Sequence, residues 1–359
     1  MTSIVTASTV RNVMISFVAV ILAFVTAALL LTAAGQNALQ SFAGMASTAV
    51  GSNFAVGTTL TKAVPRLLPA LGVALALRSG LWNIGAEGQI YLGAAAAAAV
   101  ALFGPPLSFP LGTALALIAA MIVGAAWAAV PGALRAYRGV NEVITTLMMV
   151  YVAVLLTNYL IEGPWLVPNS TWPATPLIPF AFKLPLIWPG TLVNGGAILA
   201  IVGVAVLAFV VNRTTFGLWL RAIGGNERAS EVIGVPLRPM IVAALAASGA
   251  FAGLAGGIEV LGVRGRLLEG FSPGYGFEAI AIALLGRLRP LGILGASLLF
   301  GALDAGAAGL QVASVGISSA IAPVIEGLAV AYLLAALGLA EIISRRREAR
   351  SALQSAVRS

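Results

Sequence analysis

Histidine and cysteine are both absent from the 359 residues of this chain. Their absence excludes disulfides, thiolate nucleophiles, imidazole general bases and the common zinc ligand sets. Lysine is scarce too, occurring only at Lys62 and Lys183, behind Thr61 and Phe182. A P-loop needs Gly-Lys followed by Ser or Thr, so there is no Walker A site, and any ATP that drives the protein must bind to another chain. Charged residues make up only 9%, against about 25% in a soluble domain. So few charges cannot clothe a water-exposed surface. With 60% hydrophobic residues and a mean hydropathy of +1.02, most of the surface must face lipid.

A membrane-spanning helix needs about 20 mostly apolar residues. The candidates are Val13–Ala34, Val64–Gly80, Ile84–Phe103, Leu111–Val130, Val143–Ile161, Thr191–Val211, Met240–Leu261, Phe277–Leu288, Leu291–Gln311 and Ala320–Ile343. The expected fold is therefore all-α and polytopic, with about ten transmembrane helices. Val64–Gly80 and Phe277–Leu288 are short, which suggests broken or re-entrant helices beside a cavity. The semi-polar stretch Gln36–Thr61 reads as a re-entrant or surface helix. Val13–Ala34 is longer than a signal-peptide core and lacks an A-x-A cleavage site, so it reads as a first membrane helix.

The net charge is +8. In a soluble protein that would raise nucleic acid as a partner. In a membrane protein it reflects the excess of Lys and Arg in cytoplasmic loops. Placing the N-terminus inside and counting ten crossings leaves only Lys62, Arg66, Lys183, Arg264 and Arg266 outside, with the rest of the twenty basic residues inside. Both termini are therefore expected in the cytoplasm. The basic tail 344–359 would lie against anionic lipid. The outside loop 162–190 carries seven prolines between Pro164 and Pro189, with Trp165, Trp172 and Trp188. It reads as a stiff connector on the outer leaflet or as a docking ledge for an external partner. Gly249, Gly253 and Gly257 recur at four-residue spacing, as close helix packing in lipid requires.

An ionisable group in lipid needs a partner or a wet cavity. Four acids stand in or near the spans: Glu87, Glu278, Asp304 and Glu326. The bases closest to them in sequence are Arg78, Arg287 and Arg289, so salt bridges between spans are one reading. Leu81–Gln89 interrupts the apolar pattern with Asn83, Glu87, Gln89 and two glycines. A helix starting there presents free N–H groups and a positive dipole end, suited to a hydroxylated solute; a capped helix start with a buried polar network is the alternative. The second polar island, Phe216–Pro236 within the inside loop 213–238, contains Arg221, Asn226, Glu227, Arg228, Ser230 and Glu231 and closes on Gly234. It reads as a short helix parallel to the membrane, either a solvated loop or a lever gripped by an ATPase.

LWNIGAEGQIYLGA (Leu81–Ala94), RGVNEVITTLMM (Arg138–Met149), LRAIGGNERASEVIGV (Leu220–Val235), SGAFAGLAGG (Ser248–Gly257) and GFEAIAIALLGRLRPLGILGASLLFGAL (Gly276–Leu303) resemble permease subunits of bacterial ABC importers. The resemblance is to the nucleoside and simple-sugar branch of the ribose and branched-chain amino acid permease family. It runs in order from about Lys62 to Ala340 and implies a single permease domain over 1–343. It further implies a permease set in the bacterial inner membrane that pairs with a second, different permease, with two cytoplasmic ATP-binding subunits and with a periplasmic or lipid-anchored substrate-binding protein. No cofactor or metal would bind this chain, and it would perform no chemistry. By motif position, Arg221, Asn226, Glu227, Ser230, Glu231 and Gly234 would form the ATPase-coupling loop. Asn83, Glu87, Gln89, Phe277 and Glu278 would lie near the substrate pathway. The rival reading is a secondary transporter or channel that uses Glu87, Glu278 or Asp304 as a proton or ion relay. A membrane enzyme has little to work with beyond scattered carboxylates.

Overall fold

The computed structural model describes residues 2–33, 35–168, 172–313, 323–328, 330–332 and 335–336. The described residues are helical, with no strand among them. The helices are α1 (Thr2–Ala33), α2 (Ala38–Val50), α3 (Asn53–Leu77), α4 (Ala86–Phe103), α5 (Leu111–Arg138), α6 (Glu142–Glu162), α7 (Gly196–Arg213), α8 (Thr215–Gly225), α9 (Glu227–Val232), α10 (Leu237–Ile258), α11 (Tyr275–Leu285) and α12 (Pro290–Ala313). Among the described residues, seven helices are long and apolar enough to cross a membrane: α3 to α7, α12, and α10 with its continuation to Arg264. The other three expected spans correspond to shorter apolar helices at Phe17–Ala33, α11 and Pro323–Tyr332. The basic tail 344–359 lies outside the described residues.

The segment Gln36–Thr61 and the short span Val64–Gly80 resolve differently from expectation. α3 starts at Asn53, where Ser52 Oγ accepts the Ala55 N–H at 3.1 Å, and continues through Pro65 and Pro69. Its polar groups are absorbed locally. Thr58 and Thr61 hydroxyls donate to carbonyls four residues back, and Thr59 donates to Ala49 O. The most apolar window of α3 is 83% buried, against 28% for α6. A helix sheathed by other helices needs no lipid-compatible face, so hydropathy underestimates its length.

The chain divides into two compact units, 49–302 and 1–48 with 303–359. In the larger unit α10 runs through the middle, packed mainly against α5, α4 and α3. The predicted small-residue seam is there: Gly249 and Gly253 lie against the backbone of α5 at Gly124 and Ala120, Gly93 of α4 touches Gly253, and Gly256 touches the Ile90 carbonyl. No Cβ fits at these crossings, and close backbone approach replaces the hydrophobic driving force that lipid does not supply. In the smaller unit Phe24 and Phe42 meet edge to face at 5.5 Å, and Thr26 Oγ1 and Tyr332 OH are 2.7 Å apart. Asp304 is half-buried and Glu326 buried in this unit.

Candidate functional site

α3 ends at Arg78, and a turn through Gly80 at φ +76° carries the chain back to start α4 at Ala86. Asn83 organises that start. Its Nδ2 donates to Gln89 Oε1 and to Ser248 Oγ, while its Oδ1 accepts from Gln89 Nε2 and from the Gly85 N–H. Asn83 and Gln89 are each 1% exposed. Every polar atom of the Asn83 amide is thereby engaged inside the helix bundle, with none turned toward a cavity. Asn83→Ala is expected to strand Gln89 and Ser248, at a cost of about 1–3 kcal/mol. It should lower the melting temperature in detergent and leave the KM for uptake unchanged; a shifted KM with unchanged stability would reverse this assignment.

Glu87, in the first turn of α4, points the other way. Its Oε2 accepts the Gly276 N–H at 2.6 Å and its carboxylate also bonds Ser272. Gly276 lies against the backbone of Ala86 and Glu87 with no room for a Cβ. The N-terminal ends of α4 and the eleven-residue α11 thus converge, with the Glu87 carboxylate held on a free N–H group at the positive dipole end of α11. Short helices whose N-termini meet a polar group, as α11 does here, recur at solute sites within membranes. One turn on from Glu87, Tyr91 packs on Phe271 with ring centroids 4.7 Å apart.

The bases that serve this region are not those nearest in sequence. Arg66 of α3, 2% exposed, gives its Nε to Glu278 Oε2 at 2.6 Å and lies 4.7 Å over the Tyr275 ring. At the end of α10 the helix widens into a π-helical turn, Glu259–Arg264. There the buried Glu259 takes Arg264 Nε at 2.9 Å, and Arg264 also donates to Phe271 O. Lys62 and Arg66 lie within electrostatic reach of Glu259. Lys62, Arg66 and Arg264, which charge counting sets on the outer side, lie within helices. Glu259 joins the candidate residues on structural grounds, although an acid inside the apolar run 240–261 is itself a signal. Phe277 is 43% exposed and Glu278 half-buried, both on the open side of α11.

The Pro-rich loop braces this constellation. Thr175 N, Ile178 N and Leu184 N donate to Leu267 O, Gly265 O and Leu261 O, and Glu269 N donates to Pro173 O. The loop so runs antiparallel to the segment that leads into α11. Its residues 169–171 lie outside the described set.

The polar island 216–236 forms two short helices rather than one. α8 starts on Thr214, which accepts the Gly217 N–H; Asn226 breaks it and caps α9 by accepting the Ala229 N–H. Gly234, at φ +87°, ends the unit. Leu220, Ile223 and Ser230 are buried, so the pair is fixed to the body. Glu227 reaches Arg135 of α5 at 3.1 Å. The tip exposes Val232 and Ile233 next to Glu231 and Arg228, an apolar knob rimmed by charge of the kind that marks a contact surface.

A family model for the permease component of branched-chain amino acid transport systems matches residues 55–337. The chain belongs to this permease family. The permease is a multi-pass membrane protein of a transport system. It is 32% identical over 349 residues to the guanosine ABC transporter permease protein NupP of Bacillus subtilis, covering 94% of this chain and 97% of that one. It is 34% identical over 319 residues to the glucose ABC transporter permease protein TsgB13 of Haloferax volcanii, covering 85% and 82%. It is 32% identical over 309 residues to the nucleoside ABC transporter permease protein NupB of Lactococcus lactis, covering 84% and 85%. No solved structure matches the chain. The ion-coupled alternative gains no support from these relatives.

Proposed function

We propose that this permease forms the translocation path for a nucleoside in an ATP-driven importer of the plasma membrane, with a simple sugar as the second candidate. The reading is carried by the meeting of α4 and α11 around Glu87, beside the Arg66–Glu278 pair and the exposed ring of Phe277. Neutral hydroxyl groups and a flat base are what such a mixture of carboxylate, helix N-terminus and aromatic ring suits. Relatives named for guanosine and for nucleosides point the same way, and one named for glucose supports the second candidate. Glu87, Phe277 and Glu278 are assigned to the path; Asn83 and Gln89 are assigned to packing beneath it. The α8–α9 unit, with Arg221, Asn226, Glu227, Ser230, Glu231 and Gly234, is assigned to contact with cytoplasmic ATP-binding subunits, and both termini then lie in the cytoplasm. A different permease as partner is favoured because Bacillus subtilis and Lactococcus lactis each have two relatives among the matches. A substrate-binding protein on the other side of the membrane completes the assembly.

The test is uptake by vesicles holding the complete importer. ATP-dependent accumulation of labelled guanosine or adenosine, competed by nucleosides and not by glucose, is the expected result. Accumulation of glucose alone would move the assignment to the sugar. Accumulation that follows an imposed ion gradient without ATP would overturn it.

A further inference from the structure

Arg78 touches three separate elements. It ends α3. Its carbonyl is met by Gly224, near the end of α8, so closely that no Cβ fits at that position. Its Nη2 donates to Leu288 O, in the turn that follows α11. That turn is unusual: Arg287 and Leu288 both stand in the left-handed region, at φ 53° and 56°, which residues with a side chain seldom occupy. Such backbone persists where surrounding bonds hold it. Here the bonds are Leu288 N to Ala283 O, Arg287 N to Leu284 O, and the one from Arg78. Arg221 of α8 and Arg289 beyond the turn both lie within electrostatic reach of the Arg78 guanidinium, so three cations meet where these elements join. The buried Nε of Arg78 has no hydrogen-bond partner among the described residues, which leaves a donor ready for a second arrangement.

We infer that Arg78 is a positioning residue for transport, the joint through which displacement of the α8–α9 unit reaches half-helix α11. At eleven residues, α11 is about 16 Å long, short enough to move as a rod. A shift of the Leu288 turn at one end then displaces Tyr275–Glu278 at the other, where Gly276 holds Glu87 and Glu278 holds Arg66. A two-state element of this kind, biased from both ends, is what coupling between distant sites requires.

The inference rests on the coupling role proposed for α8–α9, and its test separates the two. The complete importer is compared with its Arg78→Lys and Gly224→Ala variants. The first keeps the charge and loses the guanidinium geometry; the second forces α8 away from the Arg78 carbonyl and leaves the guanidinium in place. Both are expected to retain the ATP-binding subunits and to hydrolyse ATP within about twofold of the unmodified importer, while solute moved per ATP falls roughly tenfold. A merely structural role would lower hydrolysis and uptake together. Because the chain has no cysteine, a single Ala281→Cys on α11 reports directly. Its labelling by a maleimide should differ between nucleotide-free and vanadate-trapped importer, and lose that difference in either variant. Unchanged solute per ATP with a preserved labelling difference in both variants overturns the joint. Failure of the coupling role itself shows elsewhere, as Glu231→Arg importer that transports normally.

Discussion

Arg66→Ala is expected to deplete the folded permease and to abolish the uptake that remains. Arg66 is 2% exposed in the middle of the most enclosed long helix. Its Nε donates to Glu278 Oε2, and its guanidinium covers Tyr275. Removing one member of a buried ion pair deprives the other of its compensating charge, at about 3–5 kcal/mol. Glu278 keeps 22% side-chain exposure, so the pair is not fully enclosed by this chain and the lower end of that range applies. Even about 3 kcal/mol is a large share of a stability of about 5–15 kcal/mol. Arg66→Lys should fall between, since it keeps the charge and loses the planar donor and the ring contact. The pair Arg66→Met with Glu278→Leu separates folding from transport. Replacing both partners by apolar groups of similar volume is often close to neutral for stability, so melting in detergent should recover while uptake does not. A single Arg66→Ala variant that melts and transports like the unmodified chain would remove Arg66 from both roles.

How far the fold can be read from the amino-acid sequence depends on which physical rule each residue obeys. Composition decides the solvent, because 9% charge leaves no alternative to lipid. Spans that face lipid, such as α6 and α7, are bounded to within a few residues, since lipid imposes the apolar run that hydropathy measures. The polar break at Asn226 and the stop at Gly234 are also visible, because caps and left-handed glycines act locally. The full length of α3 is not, because its threonines and Arg66 are matched by carbonyls and by Glu278 rather than by lipid. The pairing of Arg66 with Glu278, 212 positions apart, has no local signature at all, and sequence proximity points to Arg287 or Arg289 instead. For Glu259 and Arg264 the obstacle is a change of helix geometry. Five residues apart, they share a face in a π-helical turn and would diverge on an ordinary helix. Asn83 and Gln89 carry a readable polarity whose meaning is ambiguous. Only the reciprocal amide pair and the Ser248 bond show that they face each other.

Glu231→Arg is expected to leave the permease folded and to stop uptake. Glu231 is exposed at the tip of α9, and surface substitutions away from packed features usually stay within about 0.5 kcal/mol. Its neighbours at the tip, Val232 and Ile233, are 87% and 74% exposed, so the tip is arranged for contact with something outside this chain. The base of the unit is the opposite: Leu220, Ile223 and Ser230 are buried, Gly217 lies on the Val211 backbone, and Gly224 lies on Arg78. Force applied at a loose tip would be lost, whereas force applied to a tip with a fixed base is passed on. Placing a positive charge beside Arg228 turns a mixed rim into a cationic one, and like charge set against a partner's matching surface costs several kcal/mol. Uptake in vesicles should therefore fall at least about tenfold, while detergent melting and the elution position of the lone permease stay as they were. Hydrolysis measured in the same preparation tells where the break lies. Continued hydrolysis places it in transmission, and loss of the ATP-binding subunits on purification places it in docking. Uptake at the unmodified rate would show that no partner grips this tip, and the coupling role of residues 221–234 would have to be given up.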